Sequence, residues 1–336
     1  LHADARASSP DAPDSVDVTI VNPAWLSVDL QLDVCQQCHL NGEVSVLREG
    51  ETPTSYRPGR PLSAHRAVFG LDGGSGGVSV ISHADRMKES ACFQESPAMT
   101  CVTCHDPHQG FRQSGPDYFN RTCRTCHEPA ALQAAMPSAP LRQQHAVGAD
   151  CFSCHMPKVT AEDAPHASFT DHKIRVVRGD EVGRAGGEAR LVAYFGQDEG
   201  ETPTAGIAYV IYARQGGGTA AFRRGVSILE AALEERPEAG EAQFILGVAR
   251  LQMGDPRAAL APLRAALADA ENPERLNALA QALEGAGQSL AEAERLYRRA
   301  LTLQPAAADV RTNLGRLLEA QGRLTEAVAE YRKAIR

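Results

Sequence analysis

Four pentapeptides of the form Cys-x-x-Cys-His punctuate the chain: Cys35-Gln-Gln-Cys38-His39, Cys101-Val-Thr-Cys104-His105, Cys123-Arg-Thr-Cys126-His127 and Cys151-Phe-Ser-Cys154-His155. Two thiols at this spacing each add to one vinyl group of a porphyrin, and the adjoining imidazole then takes the iron from the proximal side. Paired thiols also build four-thiolate zinc sites. Zinc, however, has no need of a histidine directly after the second cysteine, and neither has a disulfide. The pattern predicts four covalently bound haem c groups. Cys35, Cys38, Cys101, Cys104, Cys123, Cys126, Cys151 and Cys154 are the thioether donors, and His39, His105, His127 and His155 the proximal ligands.

A six-coordinate iron needs a second ligand on the far face of the porphyrin. Beyond the proximal set stand His2, His65, His83, His108, His145, His166 and His172, enough for bis-histidine ligation throughout. His108 follows His105 so closely that it cannot reach round to the opposite face of the same iron; as a ligand it must serve a different haem. His145, six residues before Cys151, and His172, well past His155, can likewise reach neighbouring groups. The first-choice distal set is His83, His108, His145 and His172, with His166 and His65 in reserve. Met87, Met99, Met136 and Met156 are sulfur alternatives that would raise a potential. Cys92, outside the motifs, reads as a buried thiol.

Two stretches carry a family resemblance. Cys154-His155-Met156-Pro157-Lys158 followed by Thr170-Asp171-His172-Lys173-Ile174 resembles a segment of ammonia-forming multihaem nitrite reductases, in which the histidine of the second stretch ligates another haem. Cys104-His105-Asp106-Pro107-His108 is similar to motifs in the tetrahaem cytochromes of nitrifying bacteria. The resemblance implies a compact multihaem domain with cross-ligation between motifs. Those reductases also use a Cys-x-x-Cys-Lys haem as their catalytic centre and hold a fifth haem. This chain has neither, so their catalytic centre does not carry over.

The elements that must position these residues are sparsely signalled. Aromatic residues make up 5% of the chain, with one tryptophan, which suits a domain whose flat apolar bulk comes from porphyrins. The fold class expected is an irregular, loop-rich multihaem domain followed by an all-α repeat solenoid. Residues 1–34 read as an N-terminal arm with strand character, since Leu26, Val28, Leu30, Leu32 and Val34 alternate with polar residues. Residues 35–180 read as the tetrahaem domain, irregular over 41–80, with a short helix at 83–92 presenting His83 and loop again over 156–187. Residues 181–205 read as a linker holding the apolar run Leu191–Phe195.

From residue 206 to 336 a period of 34 emerges. Gly225, Ala259, Ala293 and Ala327 share one phase, as do Leu229, Leu263, Tyr297 and Tyr331. This resembles the tetratricopeptide repeat, a helix-turn-helix unit with small residues at the helix crossings. Leu246-Gly247 and Leu314-Gly315 fit its first helix; Ala280-Gln281 replaces that pair in the third of about four units. Gly254-Asp255-Pro256 predicts a stop, a cap and a first helical turn. The last unit ends at Arg336 without the polar capping helix that stacked repeats usually have.

Net charge is −8, and neither half is basic, so nucleic acid is not an expected partner. No apolar run is long enough to span a membrane. Covalent haem attachment takes place outside the bacterial cytoplasm. A chain opening at Leu1 without a signal peptide therefore reads as processed or trimmed, with a periplasmic or extracellular address.

The function expected is electron transfer through mainly bis-histidine haems, with the repeats docking a redox partner protein or copies of the chain. An alternative is a homopolymer, an extracellular cytochrome filament, since head-to-tail contacts that do not close give filaments. A second alternative is a multihaem reductase or oxidase of a small nitrogen compound, which requires one open iron site.

Overall fold

The computed structural model describes residues 21–40, 42–72, 82–96, 98–146, 148–160, 168–176 and 190–335. The chain divides into two compact units between Tyr194 and Phe195. Among the described residues no helix is long and apolar enough to cross a membrane.

The first unit opens with helix α1 (Val28–His39), where alternation predicted a strand. Both periods are written in this stretch, and the helical one prevails. Val28, Leu32 and Cys35 fall four and three apart on one face, and Leu32 is fully buried. Ser27 accepts the Leu30 N–H at the helix start, and Asp29 occupies the first turn. Residues 1–20 of the expected arm lie outside the described residues.

Residues 41–80, expected to be irregular, contribute β1 (Val44–Leu47) and β2 (Arg66–Asp72), which pair antiparallel with Val44 opposite Phe69. Ala67, Val68 and Phe69 are all buried, so β2 is covered on both faces, as suits a central strand.

The expected helix at 83–92 is broken in two, α2 (His83–Lys88) and α3 (Ala91–Gln94). Ser90 between them is buried. Then come α4 (Cys101–Cys104), α5 (Phe111–Cys126), α6 (Pro129–Ala135), α7 (Ala139–Gln144) and α8 (Cys151–His155). The α5 backbone is interrupted at Gly115, whose φ of +64° precedes Pro116. Short helices thus fill a region expected to be loop.

Within the stretch expected to be loop at 156–187, β3 (Lys158–Thr160) and β4 (Ser168–Thr170) form a two-stranded ladder. Inside the expected linker, β5 (Arg190–Ala193) joins the first sheet beside β2, Phe69 opposite Ala193.

The second unit is four helical hairpins: α9 (Pro203–Tyr212) with α10 (Gly218–Glu235), α11 (Gly240–Gln252) with α12 (Pro256–Asp269), α13 (Pro273–Gly285) with α14 (Leu290–Leu303), and α15 (Ala308–Ala320) with α16 (Leu324–Ala334). The first hairpin starts three residues ahead of the expected boundary, because Thr202 accepts the Ala205 N–H and Pro203 follows it. Asp255 caps α12 in the same way after Gly254, at φ +76°. The 34-residue positions form the core: Leu229, Leu263 and Tyr297 are fully buried, as are Ala259, Ala293 and Ala300.

Gly247 shows why the crossings demand small residues. A Cβ there would lie 2.6 Å from Leu263 Cδ2, and Leu263, fully buried, has no solvent to move into. Gly247→Ala is expected to destabilise the repeat unit by about 1–3 kcal/mol through overpacking. Denaturant unfolding followed by helical circular dichroism checks this, and an unchanged midpoint would contradict the close approach.

Candidate functional site

All four Cys-x-x-Cys pairs sit on helices. Cys35 and Cys38 lie in α1, Cys101 and Cys104 span α4, Cys123 and Cys126 end α5, and Cys151 and Cys154 lie in α8. A spacing of three on a helix puts both sulfurs of a pair on one face. The histidine that follows is in each case the last helical residue, as at His39 and His155, or the C-cap, as at His105 and His127. All nine cysteines are free thiols, Cys92 half-buried among them.

The first two motifs meet. Cys35 and Cys101 are hydrogen-bonded thiol to thiol, and that contact together with burial pushes Cys101 up. Cys101 packs against Leu32, Ala84 and Met87, with Val28 and Phe93 alongside. Above them imidazoles gather. The His83 and His172 rings lie 4.3 Å apart between centroids, and the His105 ring lies 6.1 Å from that of His172 at 28°. An antiparallel bridge between Leu40 and Ser82 sets His39 beside His83. Burial and the neighbouring His83 hold His172 down at about 4, so it is a neutral imidazole with a lone pair to give.

The Thr170–Ile174 stretch is pinned to α2 and α3 by Arg86 and Ser90, which the sequence did not single out. Asp171, whose side chain is fully buried, receives Arg86 Nε at 2.9 Å and Nη2 at 2.8 Å. It also accepts the Lys173 N–H at 3.0 Å. Ser90 Oγ accepts the Ile174 N–H at 2.8 Å and donates to the His172 carbonyl at 3.3 Å. Arg86 lies one turn after His83, and Asp171 directly precedes His172. The ion pair therefore sets the two imidazoles relative to one another. Arg66 Nη2 donates to the carbonyls of Gln36 and Gln37 at the end of α1, a cation where the helix dipole favours one.

The third and fourth motifs are tied through α5. Buried Asn120 accepts the Cys151 N–H at 2.8 Å and the Phe152 N–H at 3.3 Å, and donates to Asp150 Oδ1 at 3.1 Å. Arg124 donates to the Ala149 carbonyl at 2.9 Å. The His145 and His155 rings lie 6.2 Å apart. Asn120→Ala removes the cap of α8 and leaves its first N–H groups without a buried acceptor. A loss of about 1–2 kcal/mol is expected, measured by denaturant unfolding. Retained stability would show the cap to be idle.

The remaining candidates are scattered. His108 and His127 stand exposed. His65 is buried with Nδ1 3.0 Å from Glu51 Oε2 and its ring against Tyr56. His166 lies outside the described residues. Met87 is buried in the apolar cluster with Leu32.

Covalent haem fits this donor set. His83 Nδ1 is buried without a hydrogen-bond partner, with the rings of His172 and Phe169 beside it.

On the second unit, the first helices of successive hairpins line a groove of about 500 Å³. Phe244, Val248 and Leu251 of α11 face Asn277 and Gln281 of α13 and Val310 of α15 across it.

The fold defines this unit as a helical-repeat solenoid. Residues 220–275 and 277–336 match the family model described as the tetratricopeptide repeat, and such repeats serve protein–protein contact. Solved structures similar to the chain include MamA 41-end from Desulfovibrio magneticus RS-1, 21% identical over 41% of this chain and 77% of that one, TM-score 0.37. MamA AMB-1 is 26% identical over 39% of this chain and 76% of that one, TM-score 0.35. No curated protein matches.

Proposed function

We propose that residues 35–176 hold four covalently attached c-type haems as an electron relay, and that the repeat unit docks the relay to a redox partner protein or to further copies of the chain. One observation carries the reading: each of the four Cys-x-x-Cys pairs is a pair of free thiols on one helical turn with a histidine at the helix end. When bound, the haems supply one-electron redox chemistry, and two imidazoles per iron leave no position for a substrate.

The chain's own residues supply attachment, orientation and burial. The four helical turns fix the thioether geometry. Carbonyls orient the rings: His172 Nδ1 donates to the Thr170 carbonyl at 2.9 Å, His155 Nδ1 to that of Arg175 at 3.0 Å, and His145 Nδ1 to that of Leu141 at 2.8 Å. A carbonyl only accepts, so each Nδ1 carries the proton and each Nε2 keeps its lone pair for a metal. Leu32, Met87 and Phe93 pack around Cys101 and give that attachment point an apolar flank. Attachment of this kind implies an exported protein, periplasmic or extracellular.

Intact mass of the denatured, exported protein tests the reading. Four haem additions are expected, together with a low-spin visible spectrum on reduction. A mass equal to the bare polypeptide would overturn it.

A further inference from the structure

We propose that Cys35 and Cys101 close a disulfide in the exported chain before any porphyrin is attached, joining the first and second motifs sulfur to sulfur. The proposal takes from the reading above the exported address and the later use of the two thiols. It adds a covalent link that the reading does not contain.

Contact and packing carry it. The two thiols are hydrogen-bonded between α1 and α4, with Cys101 as the donor. Their helices are held in place on both sides of that contact. Cys101 packs against Leu32, one turn before Cys35, and against Ala84 and Met87. Gln36, next to Cys35, is buried and donates to Ser82 Oγ at 3.0 Å, and Lys88 Nζ reaches Asp29 Oδ1 at 3.2 Å. Both thiols are half-buried rather than sealed, so an oxidant can reach them.

Cys35 has no equal partner in its own motif. Residues three apart on a helix keep their Cβ atoms about 5–6 Å apart, whereas a disulfide spans about 3.5–4.5 Å between Cβ atoms. Closing on Cys38 would therefore unwind the end of α1, while Cys101 is already in contact. The same hydrogen bond holds Cys35 down at about 7, close to the value best suited to attack on a disulfide near neutral pH. Burial pushes Cys104 up instead.

The chemistry balances against an oxidised dithiol protein, the class of oxidant found in compartments outside the cytoplasm. The Cys35 thiolate attacks one sulfur of that disulfide, and the other sulfur leaves. Cys101 then attacks Cys35 Sγ, and the oxidant departs as a dithiol, having taken two electrons and two protons from the chain. Thioether formation needs both sulfurs reduced. A reducing dithiol must therefore reverse the exchange, itself leaving as a disulfide, before porphyrins are attached at Cys35 and Cys101.

The test uses the full chain, exported in cells that lack the machinery for attaching haem. It is quenched in acid, alkylated with N-ethylmaleimide and digested without reduction. A species joining the Cys35 and Cys101 peptides is expected, two hydrogens lighter than their sum and split by a dithiol. Cys35→Ser should abolish it and leave Cys101 alkylated, while Cys38→Ser should leave it in place. Alkylation of both Cys35 and Cys101 in the parent chain would overturn the proposal. So would a link from Cys35 to Cys38, from Cys101 to Cys104, or a mixture of pairings.

The haem reading fails separately. In cells that possess the machinery, a chain that keeps the Cys35–Cys101 link and carries no haem would strike that reading and leave the disulfide standing. Four haems there, with no link in the deficient cells, would strike the disulfide alone.

Discussion

Replacing Cys101 and Cys104 together by serine is expected to yield a chain one haem lighter than the parent, and to lower its stability more than the same change at any other motif. A serine hydroxyl does not replace a thiolate as the nucleophile that forms the thioether. The stability loss follows from place. Cys101 packs in the cluster of Leu32, Ala84 and Met87 and touches Cys35, whereas Cys126 at the end of α5 is exposed. Taking a flat apolar group from a packed site costs at least what large aromatic truncations cost, about 3–5 kcal/mol. Cys123→Ser with Cys126→Ser should lose the same mass and less stability. Intact mass and thermal unfolding check both halves. Equal unfolding midpoints for the two variants would refute the difference in burial, and an unchanged mass in either would refute attachment.

What the sequence disclosed about these sites follows from how local each requirement is. Attachment needs two thiols and an imidazole within five consecutive residues, so the motifs could be read directly, and the structure places every pair on a helical turn. The repeats were readable for a related reason. A period of 34 recurs at Leu229, Leu263 and Tyr297 because each meets the same crossing in its own hairpin, and all three are fully buried. Residues 26–34 could not be read in that way. Leu26 to Val34 satisfy period two, yet Val28, Leu32 and Cys35 also satisfy the helical period. What decides between them is the contact of Leu32 with Ala84 and Met87, more than fifty residues away.

The groups that orient the site were hidden because they act across the chain. Asp171 was visible as part of the Thr-Asp-His-Lys-Ile stretch, but nothing near it announces Arg86, 85 residues upstream. Asn120 carries no motif at all; only the fold brings its amide to the first turn of α8. Distal ligands fall between these cases. The candidate histidines could be enumerated, while the carbonyls that orient His172 and His145, those of Thr170 and Leu141, could not.

Arg86→Met is the substitution expected to damage the folded first unit most without touching a ligand or a thiol. It leaves the carboxylate of Asp171 fully buried, with the Lys173 N–H at 3.0 Å and Arg175 Nη2 at 3.7 Å as its remaining partners. Breaking a buried pair by removing one member costs about 3–5 kcal/mol, because the other charge stays desolvated. Asp171→Asn keeps the shape and removes that charge, so Arg86→Met with Asp171→Asn should recover part of the loss, a coupling that a double-mutant cycle measures. The same pair fixes α2, which opens with His83, against the segment after β4 that carries His172. Under the proposed haem reading, Arg86→Met should therefore also alter the redox potentials of haems that His83 and His172 would ligate, and leave any near His155 and His145 unchanged. Chemical unfolding of the four proteins, with potentiometric titration of each, gives both readouts. A loss below about 1 kcal/mol, the range of an exposed ion pair, would show that Arg86 and Asp171 do not hold this corner together.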